Sequence, residues 1–336
     1  MLSQIASFDF GNMKYRICLS VCIIIFAFPV FAEIPDTGQT KCYNDKAEIL
    51  CPKKGQDYYG QDGNYTIKPP SYTLLNGGAM VKDNVTGLIW ENKTTDGSIH
   101  DTSKEYNWND AQSVFIKQLN SSRFGGYNDW RLPTIRELYS IVDYSRHEPS
   151  IDTRYFPNTQ SYFYWASSKK DFSGDTVVLS FSRCLGFGAG DSNEYGGSGN
   201  LHVRAVRGGQ PMTDNLIIKE GIVNDKSTGL MWQQATGNNG QRMIWKEALS
   251  YCRNLTLAGY KDWRLPNIKE LASIVESSYD NFVKYVPNPN TTKYDGYFSS
   301  TTAVYRPEAA WCVFNGGSSI DKLKQDYYVR CVRGGQ

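Results

Sequence analysis

Four motifs recur in the same order along this chain, and any fold it adopts must accommodate that repetition. Val81, Asp83, Thr86, Gly87, Leu88 and Trp90 answer to Val223, Asp225, Thr228, Gly229, Leu230 and Trp232. Trp108 and Ala111 answer to Trp245 and Ala248. Residues 126–138, Gly-Tyr-Asn-Asp-Trp-Arg-Leu-Pro-Thr-Ile-Arg-Glu-Leu, answer to 259–271, Gly-Tyr-Lys-Asp-Trp-Arg-Leu-Pro-Asn-Ile-Lys-Glu-Leu. Val-Arg-Ala-Val-Arg-Gly-Gly-Gln at 203–210 answers to Val-Arg-Cys-Val-Arg-Gly-Gly-Gln at 329–336. Trp90 and Trp232 lie 142 residues apart, Trp130 and Trp263 133, and Ala205 and Cys331 126, so the first copy holds the longer loops. Two copies of this length predict a tandem of independent domains, not a solenoid of short units. The expected boundaries are 79–209 for copy one, 210–220 for a linker and 221–336 for copy two.

Each motif has a local reason. In Val-x-Asp-x-x-Thr-Gly-Leu-x-Trp the Asp and Gly suit a tight turn, and Val, Leu and Trp alternate as the buried face of a hairpin. Ala248, Tyr251, Cys252 and Leu255 recur at helical spacing. Pro133 and Pro266 open a second helix that Thr134 or Asn267 can cap, with Leu138, Ile141 and Val142, or Leu271, Ile274 and Val275, as its apolar stripe. Aromatic and β-branched segments close each copy as strands. The reading is an α+β fold, two helices per copy with mixed, mainly antiparallel sheets.

Lys14 and Arg16 precede an apolar run from Ile17 to Phe28, then Val30, Phe31 and Ala32, a pattern that predicts a signal peptide over 1–32 cut near Ala32. Pro29 interrupts the run, which is too short to span a bilayer, so no stable membrane span is expected in the mature form. Asp9 and the lack of basic charge before Asn12 leave Met1 and Met13 as alternative starts. The expected location is secreted, periplasmic or cell-surface. Six cysteines follow the signal. Cys252 aligns with Phe115 and Cys331 with Ala205, so both are missing from copy one together, as expected if they bond to each other. Cys42 and Cys51, in the lead segment 33–78, read as a local clasp. Cys184 and Cys312 do not align, which leaves an inter-domain bond and two buried thiols both open. With 36 basic against 34 acidic residues, the net charge of +2 gives no field that calls for nucleic acid.

Asp-x-x-Thr-Gly-Leu-x-Trp, Tyr-x-Asp-Trp-Arg-Leu-Pro-x-x-x-Glu-Leu and Val-Arg-x-Val-Arg-Gly-Gly resemble the DUF1566 family, also named for the C-terminal domain of the Legionella collagen-like adhesin. The resemblance covers about 79–209 and 221–336. It implies two tandem C-type-lectin-like domains, a fold related to the formylglycine-generating enzymes, whose Arg-Leu-Pro-Thr-x-x-Glu stretch is similar to residues 131–137. A disulfide from first helix to last strand is typical of such domains, and copy one departs by lacking it. The adhesin implies binding to sulfated glycosaminoglycans, but fold does not transfer function.

Catalytic signatures are missing from the sequence. His100, His147 and His202 all lie in copy one with no counterpart in copy two, and each reads as a surface residue. A Cys-oxidase of the formylglycine-generating type needs a reactive thiol pair, and copy two's pair already has a structural explanation. Neither metal nor cofactor is expected. Calcium enters by lectin analogy alone, since the Asp-rich turns lack an EF-hand pattern. Arg131 with Glu137, and Arg264 with Glu270, read as bridges that lock the loop onto the second helix, and Trp130 and Trp263 as core. Recognition is assigned to the loops that differ between copies, with Lys169, Lys170, Arg183, Tyr195, Lys322 and Lys324 as candidate ligand contacts. The expected partner is an extracellular glycan or protein, with a structural envelope component as the alternative.

Overall fold

The computed structural model describes residues 33–172, 179–186, 191–196, 199–209, 215–275, 296–313, 317–322 and 326–334. The signal segment 1–32 and Lys324 therefore lie outside the described residues. The lead segment carries a two-stranded ladder, β1 (Cys42–Tyr43) and β2 (Glu48–Ile49), closed by the Cys42–Cys51 disulfide.

Copy one contains β3 (Tyr72–Leu75), β4 (Met80–Asp83), β5 (Leu88–Glu91), β6 (Glu105–Tyr106), β7 (Phe163–Phe172), β8 (Leu179–Gly186), β9 (Asp191–Gly196), β10 (Leu201–His202) and β11 (Val206–Gly208). Copy two contains β12 (Leu216–Lys219), β13 (Ile222–Asp225), β14 (Met231–Gln233), β15 (Tyr297–Thr302), β16 (Ala309–Val313), β17 (Gly317–Asp321) and β18 (Val332–Arg333). The motif strands form the same sheet twice, in the orders β11-β5-β4-β3 and β18-β14-β13-β12. Val206 faces Trp90 in one and Val332 faces Trp232 in the other. A second sheet completes each copy, β6-β10-β7-β8-β9 and β15-β16-β17. Among the described strands, β10 with β7 is the one parallel pairing. The chain is thus mixed α+β with mainly antiparallel sheets. The segment 210–220, read as a linker, holds β12, and the lead segment 33–78 holds its counterpart β3, so the first strand of each copy precedes the boundary expected for it.

The first helix runs over Trp245–Asn254 in copy two. In copy one it is broken into Trp108–Asp110, a π-helical stretch over Ala111–Ile116 and Lys117–Ser121. The wider π turn lies where Phe115 replaces Cys252. The second helices, Ile135–Ser140 and Ile268–Val275, pack against each other, as equivalent faces do in an isologous dimer. Around them Val81, Trp90, Leu138 and Val206 of copy one join Val223, Trp232, Leu271 and Val332 of copy two in one hydrophobic cluster. The expectation of two independent domains is therefore revised, because motif residues from both copies exclude water together. Copy-specific cores flank this cluster, around Trp130 and Phe115 in one and around Trp263 and the Cys252–Cys331 disulfide in the other.

The lead segment is part of this packing. Gln39 donates from Nε2 to the Thr302 carbonyl and accepts from Thr302 N, and it also reaches the Tyr144 carbonyl, touching both copies. Lys269 Nζ donates to the carbonyls of Asp36 and Ser140, each at 2.9 Å. Asp62 Oδ2 accepts from Thr37 Oγ1 at 2.8 Å and from Thr301 Oγ1 at 2.6 Å. Burial, reinforced by Asp36, lifts the Asp62 carboxyl to about 7, and burial lowers the Lys269 ammonium to about 8.

Candidate functional site

The recurrent motif residues are occupied with holding the fold. Asp83 accepts at Oδ1 from Val85 N and Thr86 N and at Oδ2 from Thr86 Oγ1, while Gly87, at φ 74°, closes the turn onto the Asp83 carbonyl. Asp225, Thr228 and Gly229 repeat this arrangement. Glu137 has two roles. It forms a capping box with Thr134, and its carboxylate takes a bidentate bridge from Arg131 at 2.6 and 2.7 Å. Glu270 does the same with Asn267 and Arg264. Arg131 and Arg264 each also donate to a glycine carbonyl of the final motif, Gly208 and Gly334. Trp130 and Trp263 are both buried.

The final motif is absorbed in the same way. Arg204 and Arg330 are fully buried and donate to the carbonyls of residues 91 and 233. Arg207 and Arg333 stack on Tyr127 and Tyr260 at 3.5 and 3.7 Å while bridging to Asp129 and Asp262.

Where the copies differ, the chemistry differs. In copy two the disulfide ties Cys252 to Cys331, and Gln233 Oε1 accepts from Cys331 N. In copy one the residue aligned with Gln233 is Glu91, whose Oε2 accepts from Ala205 N. Lys93 Nζ and His100 Nδ1 lie 3.0 and 2.9 Å from Glu91 Oε1, and Lys93 sits 5.0 Å over the Phe115 ring. Burial alone would raise the Glu91 carboxyl, but Lys93 and His100 outweigh it and hold the carboxyl below its ordinary value. A buried ion cluster thus stands where copy two has a staple.

The surface reading of two histidines is corrected. His100 is largely enclosed against Glu91 and Phe124, and His202 is buried, with burial lowering its pKa. The pattern Glu91-x-Lys93, set against Gln233-x-Ala235, was the sequence signal for this cluster.

Among the candidate ligand contacts, Lys322 is corrected. The residue is 1% exposed, and Nζ donates to the Asn44 and Pro307 carbonyls and to Thr302 Oγ1. It also lies 4.1 Å over Trp245, and burial lowers it to about 7, so it anchors the lead segment instead of meeting an anion. Lys169 and Lys170 occupy β7, Arg183 β8 and Tyr195 β9, with Lys169 paired to Ser182 and Arg183 to Glu194. Their side chains, like Lys324, fall outside what is described.

The described residues also form an open cleft of about 550 Å³ in copy two. Glu247, Ser250, Tyr251 and Asn254 line one wall at helical spacing, with Leu255 and Thr256 at its end. Asn238 and Met243 complete the lining. Asn238 and Asn239 both take left-handed backbone, at φ 51° and 52°, where Asn is among the better-tolerated residues. Gly237 packs so closely that a Cβ would stand 2.7 Å from the Tyr251 ring, and Gln233 Nε2 donates to the Tyr251 hydroxyl, which together fix that ring. Tyr251 reads in sequence as part of the helix stripe, and neither Asn238 nor Asn254 stands out there, because the cleft exists only once the turn and helix meet.

Two tandem α+β modules, each held by the same turn, the same Arg–Glu bridge and the same final strand, define a repeat protein built on one motif set used twice. The family model of the Lcl C-terminal domain matches residues 79–207 and 221–333, and the chain belongs to that family, in two copies. A search of the curated proteins found no match. The family points to a surface or adhesion-type protein. Two disulfides fit an oxidising compartment, and among the described residues no helix is long and apolar enough to cross a membrane.

Proposed function

We propose that this chain is an exported, cell-surface or secreted binding protein whose copy-two cleft takes an uncharged saccharide. Each copy is read as a C-type-lectin-like module. The order of hairpin, helix, helix and strands supports this, as does a disulfide from first helix to last strand in copy two. The observation that carries the ligand class is the cleft lining. Asn238, Ser250, Asn254 and Thr256 offer donors and acceptors beside the fixed Tyr251 ring, and the volume falls in the range of small-ligand sites. Its one charged lining residue is Glu247, which repels sulfate. With Lys322 buried, a neutral glycan fits this cleft better than a sulfated glycosaminoglycan.

Titration calorimetry of the mature protein against neutral and sulfated oligosaccharides, at low and high salt, tests the reading. Neutral ligands should bind with little salt dependence, and Asn254→Ala should weaken them about fivefold or more by removing a hydrogen-bonding group. Binding confined to sulfated ligands and abolished by salt overturns it.

A further inference from the structure

Gln233 fixes the direction of a proton in the copy-two cleft. Its Oε1 accepts from Cys331 N at 3.4 Å, and its Nε2 donates to the Tyr251 hydroxyl at 3.1 Å. A backbone N–H can only donate, so the amide oxygen faces Cys331 and the amide nitrogen faces Tyr251. Copy one supports this orientation independently. There the aligned Glu91, whose carboxylate has only oxygen to offer, accepts from the matching Ala205 N at 3.0 Å. Cys331 is itself held in place: its carbonyl accepts from Gln233 N at 2.9 Å, and its sulfur is bonded to Cys252, the residue after Tyr251. The Tyr251 hydroxyl thus accepts from the protein, and its own proton is not spent in that bond. A ligand in the cleft meets Tyr251 as a donor.

The same wall also presents the opposite polarity. Glu247 lies one helical turn before Tyr251 on the lining face and, as a carboxylate, only accepts. Met243 and Leu255 add apolar lining. Resting on the saccharide reading of this cleft, we infer that it selects a sugar bearing an N-acetylated amine. The carbonyl of that group accepts from Tyr251, its N–H donates to Glu247, and its methyl packs on Met243 and Leu255. The N–H and C=O of a secondary amide point in opposite directions, so the group fits between an acceptor and a donor one turn apart, whereas a sugar hydroxyl has a single oxygen with which to reach both. Gln233 is the positioning residue, because it decides which way the Tyr251 proton points. Copy one has Val114 at the position of Tyr251 and Glu91 at that of Gln233, so this selectivity belongs to copy two.

The test is titration calorimetry of the mature protein with oligomers of N-acetylglucosamine and with oligomers of glucose of the same linkage and length, which carry a hydroxyl in place of the acetamido group. The acetamido series should bind about fivefold or more tightly, the order of one added hydrogen bond. Tyr251→Phe removes the donor and keeps the ring. Gln233→Glu turns the hydroxyl round, because a carboxylate there takes the tyrosine proton while still accepting from Cys331 N. Each substitution should bring the ratio of the two affinities to within about twofold. A general loosening of the cleft lowers both affinities and leaves their ratio, so the ratio is the readout. Equal binding of the two series, or an acetamido preference that survives either substitution, overturns the inference and leaves the saccharide reading standing. Binding of neither series also overturns the inference, and the saccharide reading falls with it only if other neutral oligosaccharides fail to bind as well.

Discussion

Removing the Cys252–Cys331 bond by the paired change Cys252→Ala and Cys331→Ala separates two pictures of the tandem. The cysteines are 79 residues apart in sequence. Freeing a loop of that length from the unfolded chain costs about 4.5 kcal/mol at 25 °C in the chain-entropy treatment. The effect on melting depends on what unfolds with copy two. Because motif residues of both copies share one hydrophobic cluster, the described unit should melt as a whole. Spread over about 300 residues, the loss lowers Tm by roughly 7 °C, in one transition. An independent domain of about 115 residues would instead drop by roughly 19 °C, with a second transition left in place. Differential scanning calorimetry distinguishes the two. A split endotherm, with one component unmoved, refutes the shared core.

In copy one, Glu91→Gln strands Lys93 in the interior and should cost about 3–5 kcal/mol by urea denaturation. Adding Lys93→Ala restores the pairing that copy two has naturally at Gln233 and Ala235, so the double variant should recover at least about 2 kcal/mol, and additive losses contradict the cluster. The Asp62 carboxyl, lifted to about 7 by burial, gives the folded state a proton that the unfolded chain lacks between about pH 4 and 7. Stability from this group is therefore full below about pH 4 and lost as pH rises toward 7, by at most about 1.4 kcal/mol per pH unit. Lys322, lowered to about 7, acts in the opposite sense over a higher window, adding stability as pH rises from about 7 toward 10.4. Asp62→Asn should flatten the acid limb of a stability profile and leave the alkaline limb, whereas an unchanged acid limb contradicts the assignment.

The repeated elements were legible because their constraints are local. An Asp and a Gly at fixed spacing make the turn, and Pro followed by Thr or Asn and then Glu makes a capped helix. The joint loss of Cys252 and Cys331 pointed to their bond, since a disulfide is a pairwise constraint that sequence can show by subtraction. What could not be read depends on where surfaces meet. Lys322 looks like a surface cation until Thr302 and the lead segment close around it. His202 looks exposed until β10 enters the sheet beside β7. Independence of the copies was inferred from length, whereas docking of the two second helices is set by apolar residues that the motif presents on both sides. The cleft has no linear signature, because its turn at 237–243 and its helix face converge only in three dimensions.

Hydrogen exchange of the mature protein, with and without a bound neutral oligosaccharide, tests most directly whether recognition lies in copy-specific surface and not in the shared motifs. New protection is predicted over 238–256, with none at 131–137 or 264–270. Protection centred on the Arg131 and Arg264 bridges, with the cleft unchanged, would contradict the account.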